Sequence, residues 1–149
     1  VGRRLEKIGI QNEVTVLSDY GHHPVEIKAT LGALRRSIFD PERKLHVIFQ
    51  PHRYSRTKSC FADFLAAFSD CDYLYVNEIY AANEAPIDGI TGEALCNAIN
   101  HEAKCFISDY KSVDRVIENV KKHDVILCLG AGNIGQVPTI LLDKLKELK

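Results

Sequence analysis

Short apolar runs recur along the chain at Val14–Leu17, Leu45–Phe49, Tyr73–Val76, Cys105–Ile107 and Val125–Leu129, each bounded by polar or turn residues. Apolar residues on consecutive positions, in runs this short, are the pattern of strands buried on both faces. The stretches between them carry a different period. Ile27, Leu31, Leu34 and Ile38 recur every three or four residues; so do Phe61, Phe64, Leu65 and Phe68, then Val113, Val116, Ile117 and Val120, and finally Val137, Leu141, Leu145 and Leu148. Each set lays one apolar stripe along a helix. Leu95–Ile99 is a weaker helical stretch after the turn-rich Ala85-Pro86-Ile87-Asp88-Gly89. Pro24 and Thr57 fall at expected helix starts, where a missing N–H is harmless and a hydroxyl can cap.

Strand and helix alternate, which predicts an α/β fold: one three-layer, Rossmann-like domain over residues 1–149, with a mostly parallel sheet of about six strands and helices on both faces. The head, Arg3–Gly9, reads either as a strand pairing antiparallel with Val14–Leu17 across Gly9-Ile10-Gln11-Asn12 or as a short helix. Repeats, linkers and low-complexity stretches are absent, and 149 residues suit one domain with a real core. A net charge of −1 gives no global field that favours nucleic acid or membrane, so any anion binding must be local. No apolar run approaches a membrane span, and no signal peptide is expected. The chain opens at Val1 rather than at a methionine, which marks it as an expected part of a longer protein. Five cysteines (60, 71, 96, 105 and 128) form no C-x-x-C pair. They read as small core residues under reducing conditions, not as a disulfide frame or zinc site.

Two segments concentrate the chemistry: Ser18-Asp19-Tyr20-Gly21-His22-His23-Pro24 and Gln50-Pro51-His52-Arg53-Tyr54-Ser55-Arg56-Thr57. Each begins where a strand pattern ends and a helix pattern starts. In an open α/β sheet such turns lie along the edge where ligands bind. Arg53 and Arg56 are three apart, so both can project from one helical turn. Guanidiniums grip carboxylates and phosphates bidentately, and no acidic residue lies between Pro51 and Ala62 to neutralise them. The plainer alternative is a pair of solvated arginines in surface ion pairs. Asp19 ends the first strand, where a carboxylate can accept from ribose hydroxyls or simply shape a turn. For His22-His23-Pro24 the alternative is an ordinary polar helix cap. Glu78–Pro86 follows the third strand onto the same edge, with Asn83 suited to a left-handed conformation.

Gly130-Ala131-Gly132-Asn133-Ile134-Gly135 matches G-x-G-x-x-G between a strand and a helix. The dinucleotide fingerprint also requires a second strand and an acidic residue about 20 positions on, and too few residues follow Gly135. The glycines are therefore expected to let this turn pass close to a neighbour. No metal site held by the protein is expected from His22, His23 and His52: adjacent histidines in an extended loop point apart, and no His-Glu-x-x-His pattern accompanies them.

Four segments together resemble one known family. Asp19-Tyr20-Gly21-His22-His23-Pro24-Val25-Glu26-Ile27, Phe49–Thr57, Ile79–Ile87 and Leu129–Gly135 are similar, in order and spacing, to the C-terminal domain of the Mur ligases, in the branch that adds L-alanine. The head Gly2-Arg3-Arg4-Leu5-Glu6 resembles the segment where the central domain of those enzymes passes into the last. Small departures accompany the match: Ser18-Asp19 where Asp-Asp is frequent, Glu78 where Asp is usual, and Asn83 where Gly is common.

The resemblance implies a cytoplasmic bacterial ligase of peptidoglycan precursor synthesis. ATP with Mg²⁺ activates the carboxylate of UDP-N-acetylmuramate as an acyl phosphate, and the amine of L-alanine attacks it. By that resemblance Tyr20, His22, His52, Arg53 and Arg56 surround L-alanine, with the arginines on its carboxylate, and Asp19 meets the ATP ribose. Central and N-terminal domains of the same protein would supply the phosphate-binding loop, the metal ligands and the UDP site. Nothing in this chain resembles G-x-x-x-x-G-K-[ST], so the isolated domain is expected to be inactive. Two rivals remain: a ligase that recycles whole peptides, and a stand-alone nucleotide- or anion-binding module without catalysis.

Overall fold

The computed structural model describes residues 4–109 and 113–148. In chain order its elements are β1 (Glu6–Gln11), β2 (Val14–Asp19), α1 (Pro24–Ser37), β3 (Leu45–Phe49), α2 (Tyr54–Ser59), α3 (Phe61–Phe64), β4 (Tyr73–Val76), α4 (Gly92–Ala98), β5 (Lys104–Phe106), α5 (Val113–Asn119), β6 (Val125–Leu129) and α6 (Val137–Glu147). A short 3₁₀ turn, Asn133–Gln136, leads into α6. The strands lie in the order β1-β2-β6-β3-β4-β5, parallel except for β1, which runs antiparallel to β2.

Both faces of this sheet are covered, which is why its central strands are apolar without alternation. On one face Ile27, Leu31, Phe64, Phe68 and Leu95 pack against Val47, Phe49 and Leu127. On the other, Val113, Val116, Leu141 and Leu145 pack against Ile48, Ile126 and Cys128. Each such side chain, fully buried, contributes about 1.5–3 kcal/mol. No disulfide joins any of the five cysteines; Cys71, Cys96 and Cys128 are buried, and Cys60 and Cys105 partly so.

The head is a strand, and its turn lies further on than expected. Asn12 and Glu13 form the hairpin turn with φ of 52° and 63°, because two left-handed residues match the twist of the flanking strands. Gly9 lies inside β1 at a register irregularity, against Leu142. Val1, Gly2 and Arg3 of the head segment lie outside the described residues.

Two further expectations are corrected. The stripe Phe61–Phe68 belongs to no single helix: α3 ends at Phe64 after four residues, and turns carry the chain through Phe68. The spacing survives because Phe64 and Phe68 still face the sheet. Thr57 does not start a helix but lies within α2, buried, with its hydroxyl donating back to the Arg53 carbonyl at 2.8 Å.

The buried polar residue His46 is unexpected in a core strand. Its Nε2–H donates to Asp124 Oδ2 at 2.9 Å, and its Nδ1 faces the Tyr75 hydroxyl at 3.2 Å, which in turn accepts from Asn119 Nδ2 at 3.1 Å. Because Asp124 also accepts the Lys44 and Lys121 amides, it is an acceptor throughout, and the His46 Nε2 carries a proton toward it. Burial keeps its pKa below the ordinary value of 6.5, against the pull of Asp124.

Candidate functional site

The register of the sheet brings the two polar segments to one edge. Asp19 and Phe49, the last residues of β2 and β3, both pair with Leu129 at the end of β6. The chain leaves β2 and β3 for helices on one face and leaves β6 for α6 on the other. Loops diverging from neighbouring strands open a crevice at such a switch point. The histidine-bearing turn and the arginine-bearing turn therefore flank the glycine turn 130–132.

On the β2 side, Asp19 is buried and its two oxygens are held separately: Oδ1 accepts the Gly21 amide at 2.7 Å and Oδ2 the Leu5 amide at 3.0 Å. It borders a shallow cleft of about 270 Å³ with Arg4, Leu5, Ala29, Thr30 and Ala33. Arg4 lies over the Tyr20 ring, 5.4 Å from its centroid, a cation–π contact between residues 16 positions apart that local spacing does not encode.

The adjacent histidines divide their duties. His23 is the N-cap of α1: its Nδ1 accepts the Val25 amide at 3.3 Å, while Glu26 reaches back to the His23 amide at 3.2 Å. Burial alone would raise the Glu26 carboxyl, but the amides of His23 and His22 hold it below the usual range. Thus the plain capping role belongs to His23. His22 turns the other way, its Nδ1 near the Tyr20 carbonyl at 3.1 Å and its ring centroid 5.7 Å from that of His52.

On the β3 side, His52 lies nearly flat on Tyr80, with centroids 5.5 Å apart and planes 18° from parallel. Its Nδ1 is buried and has no hydrogen-bond partner among the described residues. Burial first, then the neighbours His22, Arg53 and Arg56, hold this imidazole below its ordinary pKa, so it is neutral near pH 7. Arg53, the N-cap of α2, takes a left-handed φ of 72°. Its amide donates to the Tyr80 carbonyl at 2.8 Å, and the Tyr80 amide donates to Pro51 at 2.8 Å.

Arg53 and Arg56 line an open cleft of about 510 Å³ with His23, Ser55, Ser59 and Cys60. Neither guanidinium forms an ion pair among the described residues, which favours an available clamp over the surface-pair alternative. The His22 and His52 rings meet between the two turns, and the charges of Arg53 and Arg56 reach His52, but the histidine that lines the cleft with the arginines is His23. Tyr20 bridges toward the Asp19 side, where its ring meets Arg4.

The glycine turn explains how these parts come so close. A Cβ at Gly132 would lie 2.5 Å from the Tyr80 ring and 2.7 Å from Gln50 Oε1, so only glycine admits the ring there. Gln50 completes the seam, donating to Asn133 Oδ1 at 2.7 Å and accepting the Ile134 amide at 3.2 Å. Among the described residues no three His, Cys, Asp or Glu side chains converge as metal ligands, and no helix is long and apolar enough to cross a membrane.

The family described as Mur ligase, glutamate ligase domain, matches residues 3–132. The chain belongs to the Mur ligase family. Aligned over 153 residues it is 46% identical to the UDP-N-acetylmuramate–L-alanine ligase of Geobacter sp. (strain M21), with 100% of this chain and 33% of that protein covered. The chain therefore spans about a third of the length of the curated relatives it matches, and it matches their C-terminal domain.

Among solved structures, the UDP-N-acetylmuramate-alanine ligase of Thermotoga maritima superposes with a TM-score of 0.75 at 25% identity, covering 100% of this chain and 31% of that one. A murein peptide ligase from Psychrobacter arcticus shares the fold, with a TM-score of 0.78 at 21% identity, covering 99% of this chain and 31% of that one. In this Mur ligase domain the crevice between the β2, β6 and β3 loops is thus the candidate site.

Proposed function

We propose that this domain presents L-alanine, and closes over ATP, in a three-domain ligase that joins the amino acid to UDP-N-acetylmuramate in bacterial cytoplasmic peptidoglycan synthesis. The observation that carries the reading is the pair Arg53 and Arg56, unpaired and facing one open cleft in a nearly neutral chain. The 46% identity to an L-alanine-adding ligase supports that branch over one that recycles whole peptides.

The reaction is an acyl transfer. ATP phosphorylates the muramate carboxylate, the amine of L-alanine attacks the acyl phosphate, and phosphate leaves. The attacking amine must be uncharged and aimed; the domain's contribution is orientation. Arg53 and Arg56 hold the alanine carboxylate through charge-assisted hydrogen bonds. His22 and His52 wall the amine end, and His52, neutral, adds no positive charge to repel an ammonium arriving there. Tyr20 spans the gap to the nucleotide side. Asp19 fits a ribose hydroxyl, because each of its oxygens keeps accepting capacity beyond the one amide it binds. The phosphate-binding loop and the Mg²⁺ ligands are assigned to the rest of the protein, and closure of this domain excludes water from the acyl phosphate.

The test is Arg53→Ala in the full-length protein. The KM for L-alanine should rise about tenfold or more with the KM for ATP little changed. Unchanged L-alanine saturation would overturn the reading.

A further inference from the structure

The segment after β4 is fastened to the start of α2 at two points on either side of Arg53. Before it, the Tyr80 carbonyl takes the Arg53 amide at 2.8 Å. Beyond it, the Glu84 carboxylate takes both donors of Ser55, the amide at 3.0 Å and the hydroxyl at 2.5 Å. Between the two attachments on the loop side, Ala82 and Asn83 adopt left-handed φ of 50° and 71°, and the turn closes with the Glu84 amide on the Ala81 carbonyl at 3.0 Å. On the helix side Arg53 is itself left-handed, at 72°. Alanine and arginine are seldom found there, and such backbone persists only where the surroundings over-determine it.

From this geometry we infer that Glu84 is a positioning residue for the amino-acid carboxylate: by holding Ser55 it locks the left-handed Arg53 and the first turn of α2 in the posture that aims Arg53 and Arg56 into the cleft. The inference rests on the proposed role of those arginines. A carboxylate is the fitting group because its two oxygens accept two donors at once. The Ser55 hydroxyl and then its amide hold Glu84 below the usual carboxylate range, so it stays ionised. The positive charge of Arg53 adds to that effect.

The experiment uses the full-length protein and reads kcat, the KM values for L-alanine and ATP, and thermal midpoint. Glu84→Ala should raise the L-alanine KM about tenfold, with kcat and the ATP KM within about threefold. Glu84→Gln should recover most of that loss, because the amide can accept the Ser55 N–H and donate to its hydroxyl. Ser55→Ala should raise the same KM, and the double variant should fall well short of the product of the single effects. An L-alanine KM within twofold of wild type in Glu84→Ala would overturn the inference. So would a parallel loss in all parameters with a lowered midpoint and no recovery by glutamine. If Arg53→Ala raises the L-alanine KM and Glu84→Ala does not, the positioning role of Glu84 alone is refuted. If Arg53→Ala itself has no effect, the substrate reading fails first.

Discussion

Tyr80 lies so close to Gly132 that a Cβ there would stand 2.5 Å from its ring. The same ring stacks on His52. One aromatic side chain therefore transmits the position of the glycine turn to the imidazole, and its backbone transmits it to Arg53.

Gly132→Ala tests that relay. The ring cannot swing away freely, because the Tyr80 amide and carbonyl are both bonded to the 51–53 turn. Overpacking of this kind costs about 1–3 kcal/mol. Denaturant titration should show that loss, and the L-alanine KM should rise with it; unchanged values of both would show that the contact transmits nothing.

A second prediction concerns pH. The folded-state pKa of His46 is depressed below 6.5 by burial. The unfolded chain therefore binds a proton that the folded chain excludes, and stability is complete above about pH 6.5 and falls as pH drops below it. His52 has the same sign, with a weaker effect because it is partly exposed. The depressed carboxylates Glu26, Asp72 and Glu84 act only below their ordinary values of 4.5, 3.8 and 4.5, which leaves the window from 6.5 down to 4.5 to the histidines. Denaturant midpoints of the wild type should fall across that window by up to about 1.4 kcal/mol per pH unit for each excluded proton. His46→Gln should be less stable at pH 7 and show a flatter dependence; an equally steep one would place the titration elsewhere.

Much of this architecture was legible in the sequence for a physical reason. β3, β4 and β6 are buried on both faces, so their apolar runs begin and end where the strands do. β5 lies one residue earlier than its apolar run because Lys104 pairs with Leu74 in the ladder while its ammonium reaches the Asn97 and Ile99 carbonyls. The end of α3 at Phe64 left no trace in the Phe61–Phe68 stripe, since side-chain spacing records which residues face the sheet and not whether the helix between them is continuous. His46 and Asp124 are 78 positions apart, and local pattern cannot join them. At the site, residue types and strand ends placed Asp19, His22, His52, Arg53 and Arg56 along one edge. The left-handed Arg53, the Glu84 attachment and the Arg4–Tyr20 contact arise from loops meeting in space, which spacing along the chain does not encode.

The central claim, that Arg53 and Arg56 hold the substrate carboxylate, is tested most directly by removing that carboxylate from the substrate. L-Alaninol keeps the amine and methyl group and replaces the carboxylate with a hydroxymethyl. In the full-length protein the ratio of kcat/KM for L-alanine over L-alaninol should be large, at least about a hundredfold, because a charge-gripping site discriminates strongly against the analogue that lacks the charge. In Arg53→Ala/Arg56→Ala the account predicts that this ratio collapses toward unity, through loss of activity with L-alanine and little change with L-alaninol. A ratio that stays near its wild-type value in the double variant would contradict it.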